Sequence, residues 1–145
     1  MKLTKKNISV FTSIILLLMT AFFLKEYFRK PADVMGMQPS IKTTVADIVD
    51  LYENDEAKAN KLFLDKTIQI NGAITEIVNQ QDTLINVFVG DTNSLHKVSC
   101  LLDIRHFNSI KKYTAGQQIT LKGICTGYLM DVELNRCVII DDNEQ

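Results

Sequence analysis

From Lys66 onward the apolar residues of this chain recur with a period of two, a pattern that half-buried strands satisfy and helices do not. Ile68, Ile70 and Ile74 share one parity, and Gly72 between them marks a bend or bulge. Asn79, Gln80, Gln81 and Asp82 form a polar turn. Ile85, Val87 and Val89 alternate in a second strand, and Val98, Cys100 and Leu102 in a third. Residues 90–94 are the turn between them. Residues 104–113 read as a short helical or irregular connection. Ile119, Leu121 and Gly123 share one side of a fourth strand, and residues 132–140 form a fifth after a turn at 127–131.

Three strands, a connecting helix and two strands is the order of the OB-fold, a five-stranded Greek-key barrel. Glycines inside the first and fourth strands suit the sharp bends such a barrel needs. A helix precedes it. Thr44 is placed to cap it, with Asp47 three residues on, and Val45, Ile48, Val49 and Tyr52 fall at helical spacing. Asn54 and Asp55 interrupt or kink this helix before Ala57, Ala59, Leu62 and Phe63 resume an apolar face. The fold class expected is therefore mainly β: an OB barrel with an N-terminal helix.

Residues 8–24 are an uncharged run of 17, flanked by Lys2, Lys5 and Lys6 before it and Lys25, Arg29 and Lys30 after it. At 1.5 Å per residue the run spans about 26 Å, just under the ~30 Å hydrocarbon core of a bilayer. Cleavage of a signal peptide wants small residues after the run; Phe22, Phe23, Leu24 and Lys25 stand there instead, which favours an uncleaved transmembrane anchor. The short basic N-terminal flank favours a cytoplasmic N-terminus and an extracytoplasmic domain. The organisation expected is an anchor over residues 1–30, a linker over 31–43 with two prolines, and an OB domain with its leading helix over 44–142.

Charge divides along the same line. The first 30 residues hold six of the 16 basic residues and one of the 17 acidic ones. The remainder carries ten basic and 16 acidic residues, and a domain of that balance repels a phosphate backbone.

One stretch is more specific. Leu51-Tyr52-Glu53-Asn54-Asp55-Glu56-Ala57-x-Ala59 leads into Lys66, Ile68, Ile70, Gly72 and Ile74. Later comes Gly123-x-Cys125-x-Gly127-Tyr128-Leu129-x-Asp131-Val132-x-Leu134-x-x-Cys137. Over roughly residues 44–140 this resembles the tRNA_anti-like family of bacterial OB-fold domains. The resemblance implies the barrel. It brings no catalytic residues and does not establish tRNA binding, since fold does not fix function. An anchor followed by a barrel is also similar to the haem chaperone of cytochrome c maturation. That family's C-terminal histidine has no counterpart after Cys137, so haem does not carry over.

The chemistry-bearing residues are few. With the apolar parity inward, the second and third strands face outward with Asn86, Phe88, Lys97, Ser99 and Leu101: one aromatic and one cation, too little for a single-strand groove. Phe88 is either a stacking platform or a half-buried partner contact. Tyr128, Leu129 and Met130 put apolar side chains at a turn, as a partner contact or as a cap on the barrel end. Cys125 and Cys137 either meet as a disulfide across the last hairpin or, like Cys100, are buried thiols. No Cys-x-x-Cys pair or histidine at ligand spacing supports a metal site. His96 and His106 are expected at the surface beside turns.

The function expected is a non-enzymatic, extracytoplasmic binding module without a cofactor. Its ligand would be a protein, peptide or saccharide of the envelope, contacted through Phe88, Lys97, Tyr128, Leu129 and Met130. The alternative is a nucleic-acid-binding OB module facing the cytoplasm.

Overall fold

The computed structural model describes residues 5–27, 33–80 and 84–140. The chain divides into two compact units between Ala32 and Asp33. The first carries helix α1, Lys5–Tyr27. Its described side chains are exposed on every side, among them Ile15, Leu17, Phe22 and Phe23. Among the described residues no helix is long and apolar enough to cross a membrane, so the structure lends the expected anchor no support.

The second unit is a closed barrel with helices. Strand β1 (Ile41–Thr44) leads into α2 (Val45–Asn54) and α3 (Glu56–Phe63). Then follow β2 (Thr67–Gln80), β3 (Leu84–Val89) and β4 (Val98–Leu102). A 3₁₀ turn and the one-turn helix α4 (Phe107–Ile110) connect β4 to β5 (Gln118–Tyr128) and β6 (Val132–Ile139). The sheet order is β1-β2-β3-β4-β6-β5, and β2 pairs with β5 to close five strands into the OB barrel. Besides β1, β2 serves two neighbours by bending. Thr67 to Ala73 pair with β5, and from Ile74 the strand pairs with β3. Gly72 sits at this bend because a Cβ there would lie 2.8 Å from Val45 and from Val89.

The inward parity is the one expected: Ile68, Ile70, Ile74, Val87, Val89, Val98, Cys100 and Leu121 are all buried. The helices behave as their caps dictate. Thr44 Oγ1 accepts from the Asp47 N–H at 3.1 Å, and Asp55 breaks α2 from α3 while its carboxylate accepts from the Lys58 N–H at 2.9 Å. Ile48, Tyr52, Ala59 and Phe63 are the faces these helices bury against the barrel.

Two expectations are corrected, and one open alternative is decided. Residues 33–43 are not a free linker. Val34 is buried, Ser40 N–H donates to Thr67 O at 2.8 Å, and Ile41–Thr44 pairs in parallel with β2. His106 is buried rather than at the surface. Of the two readings of Cys125 and Cys137, buried thiols rather than a bridge is the one found. All three thiols are free, and Cys125 is registered with Leu134, three residues short of Cys137. Arg136 takes a positive φ of 54° in that interval, and the resulting bulge turns Cys137 towards β4, where it is registered with Leu102. Cys137 instead neighbours Cys100, and burial, with the Cys100 thiol second, pushes its pKa well up.

Candidate functional site

The loop between β3 and β4 and the turn between β5 and β6 are joined into one rim. Lys97 N–H donates to Asp131 Oδ1 at 2.8 Å, and Val132 N–H donates to Lys97 O at 3.0 Å. His96 Nδ1 hydrogen-bonds Met130 O. These bonds occupy the polar backbone of both segments and leave their apolar side chains outside. Leu95 is 90% exposed, Leu129 81% and Met130 77%. Three large apolar side chains this exposed on hydrogen-bonded loops contribute nothing to the core and are available for contact.

The rim has an aromatic base. Tyr128 stacks on Tyr52 of α2 with ring centroids 5.3 Å apart and planes 19° from parallel, and the His96 ring lies 5.8 Å from Tyr128. Partial burial raises the Tyr128 phenol's pKa, with the Glu53 carboxylate adding to the shift. Glu53 is also 3.9 Å from His96 Nε2.

Beside the rim, α2, the bend of β2 and the β3–β4 loop enclose a groove of about 860 Å³. Asp50, Glu53 and Asp91 line it along with His96, and no lysine or arginine does. An acidic groove of this kind disfavours phosphates.

The β3–β4 face is self-satisfied. Asn86 Nδ2 donates to Ser99 Oγ at 2.8 Å and Ser99 Oγ donates back to Asn86 Oδ1 at 3.1 Å. Phe88 is half-buried, registered between Glu76 and Ser99. Thus Lys97, Tyr128, Leu129 and Met130 come together at the rim, while Phe88 stays on the strand face. Lys97 joins the rim through its backbone, and its side-chain stem lies towards Gly90.

Two contributors escaped the sequence reading. Leu95 stands alone among polar loop residues, and its only signal is one large apolar residue between Ser94 and His96. Tyr52 reads as a core position, and its role as the base for Tyr128 needs the tertiary fold. Among the described residues no group of three metal-ligating side chains converges.

No curated protein matches this chain. Among solved structures, the chain is similar to a protein from Klebsiella pneumoniae provisionally named a nucleic acid-binding lipoprotein. The TM-score is 0.60 at 17% identity, covering 77% of this chain and 100% of that one. That likeness shows the fold. Also similar are a replication factor A related protein from Methanobacterium thermoautotrophicum (TM-score 0.41, 15% identity, 57% of this chain and 87% of that one) and the asparaginyl-tRNA synthetase of Pyrococcus horikoshii. For the synthetase the TM-score is 0.41 at 14% identity, and the match covers 55% of this chain but 21% of that one. The model of the tRNA_anti-like family matches residues 1–139, and the chain belongs to that family.

Proposed function

We propose that this chain is an envelope-associated OB-fold binding module that acts without catalysis and takes a protein, peptide or saccharide as its ligand. The observation that carries this reading is the rim: Leu95, Leu129 and Met130 exposed together on hydrogen-bonded loops, over the Tyr52–Tyr128 stack. The uncharged run at residues 8–24 and its basic flanks support attachment to a membrane with the barrel outside the cytoplasm. The similarity to a protein named a lipoprotein agrees with an envelope location.

A second reading, nucleic-acid binding, is favoured by the name of that same Klebsiella protein. The acidic groove, the self-paired Asn86 and Ser99, and one half-buried Phe88 on the strand face speak against it.

Protease added to intact spheroplasts tests the location: degradation of the barrel supports the extracytoplasmic reading, and protection overturns it. Fluorescence anisotropy with labelled single-stranded RNA and DNA separates the two ligand classes. Absence of salt-sensitive binding is expected. Binding that weakens steeply with salt would move the second reading to the front.

A further inference from the structure

Lys42, Gln69 and Lys122 stand in one row across three strands. Lys42 on β1 is registered with Gln69 on β2, and Gln69 with Lys122 on β5. Their neighbours Ile68, Ile70 and Leu121 point into the core, so the row lies on the outer face of the sheet. Residues 35–39 pass over it. Together with Ile139 and Ile140 they bound a recess of about 220 Å³. A water claims ~30 Å³ of liquid volume, so the recess accommodates a tetrahedral oxyanion.

The formal charge of the recess is one-sided: Lys42 and Lys122 line it. Lys122 is only 6% exposed, and its Nζ donates to Met35 O at 3.0 Å and Met37 O at 2.8 Å. An ammonium has three N–H groups, so one remains beyond these two neutral acceptors. No aspartate or glutamate lines the recess. Among the described residues no carboxylate forms an ion pair with Lys42 or Lys122. A buried cation held by neutral carbonyls alone is the kind of group that buried-charge energetics leaves in need of an anion.

We infer that this recess is a binding site for a small oxyanion, a phosphate or carboxylate group held between Lys42, the Gln69 amide and the remaining N–H of Lys122. The acidic balance of the barrel weakens long-range attraction of anions. It does not govern contact inside a recess lined by two cations and the amides of Gln38 and Gln69. The site is separate from the rim, and the inference stands whether or not the rim binds a ligand.

The test uses the full chain in a neutral detergent, at constant ionic strength, with the acetylation rate of each lysine read by mass spectrometry. Inorganic phosphate is expected to slow acetylation of Lys42 saturably, while exposed Lys58 and Lys61 on α3 keep their rates. Gln69→Leu removes one donor from a half-buried outer position and keeps the fold, as an unchanged Tm will verify. It should raise the half-saturating phosphate concentration about tenfold, the worth of one charge-assisted hydrogen bond. In a parallel arm phosphatidylglycerol replaces phosphate. Protection by the lipid alone identifies a lipid headgroup as the source of the oxyanion, and protection by phosphate identifies the free ion. Protection by neither, equal protection of Lys58 and Lys61, or an unchanged half-saturating concentration in Gln69→Leu overturns the proposal.

Discussion

Tyr52 Oη lies 3.4 Å from Cys125 Sγ, joining residues 73 positions apart in the chain and fixing α2 to the last hairpin of the barrel. Burial, and then this contact with Cys125, raise the Tyr52 phenol's pKa above its ordinary value. The same ring supports Tyr128 at the rim. Tyr52→Phe keeps the stack and loses only the hydroxyl contact, so chemical denaturation should show a loss of about 1 kcal/mol. Tyr52→Ala removes a fully packed ring and should cost about 3–5 kcal/mol.

Cys100, Cys125 and Cys137 are free and buried. Iodoacetamide under non-reducing, denaturing conditions should therefore add three carbamidomethyl groups, with no gain after reduction. In the native state all three should react slowly, because each side chain is fully buried and closed to the reagent. A mass showing one adduct and a bridge would contradict the register of β5 and β6.

A Cβ on Gly123 would lie 2.5 Å from Cys137 Sγ and 3.2 Å from Asn135 O. Gly123→Ala should cost about 1–3 kcal/mol by overpacking. Adding Cys137→Ala removes the sulfur but leaves the carbonyl, so it should restore part of that loss. A thermodynamic cycle on the two single variants and the double variant measures the coupling.

Arg105 binds two carboxylates at once. Its Nη2 donates to Asp33 Oδ1 at 2.9 Å and its Nε to Asp103 Oδ1 at 2.9 Å. The guanidinium holds the Asp103 carboxyl down at about 2 and lowers Asp33 as well. Both folded-state values lie below the ~3.9 of an unfolded aspartate. The bridge therefore stabilises fully above about pH 4 and is lost as pH falls towards 2. Hydrogen exchange at Met35 and Met37, corrected for intrinsic rates, should accelerate over that window relative to Ile68. Arg105→Gln should abolish the step.

Leu129→Ser and Met130→Ser alter side chains that are 81% and 77% exposed. Each should leave the Tm nearly unchanged, within about 0.5 kcal/mol of stability. If the rim is the contact surface, the double variant should weaken ligand capture at least tenfold.

Much of the barrel was legible because strands declare themselves by parity. Ile85, Val87 and Val89, or Val98, Cys100 and Leu102, admit one burial pattern and show it in the structure. The pairing of Cys125 with Cys137 was not legible, since register depends on bulges and on the left-handed Arg136, neither of which composition marks. The contacts of residues 33–43 were equally hidden. Val34 is a lone buried residue in a single 3₁₀ turn, and Ile41–Thr44 is too short for alternation to stand out. At the rim, Tyr128, Leu129 and Met130 were visible as apolar residues at a turn, while Leu95 and the Tyr52 base became visible only once the loops met.

The closure of β2 onto β5 has a further consequence for recognition. Where Thr67 to Ala73 of β2 lie against β5, the ladder is closed, and that stretch offers no template for strand addition or edge-to-edge aggregation on that side. The outer side of β1, four residues long and carrying Lys42, is what remains at the sheet's end. A partner that recognises this protein by extending its sheet would find there four residues of ladder, too few to hold it without reading side chains as well.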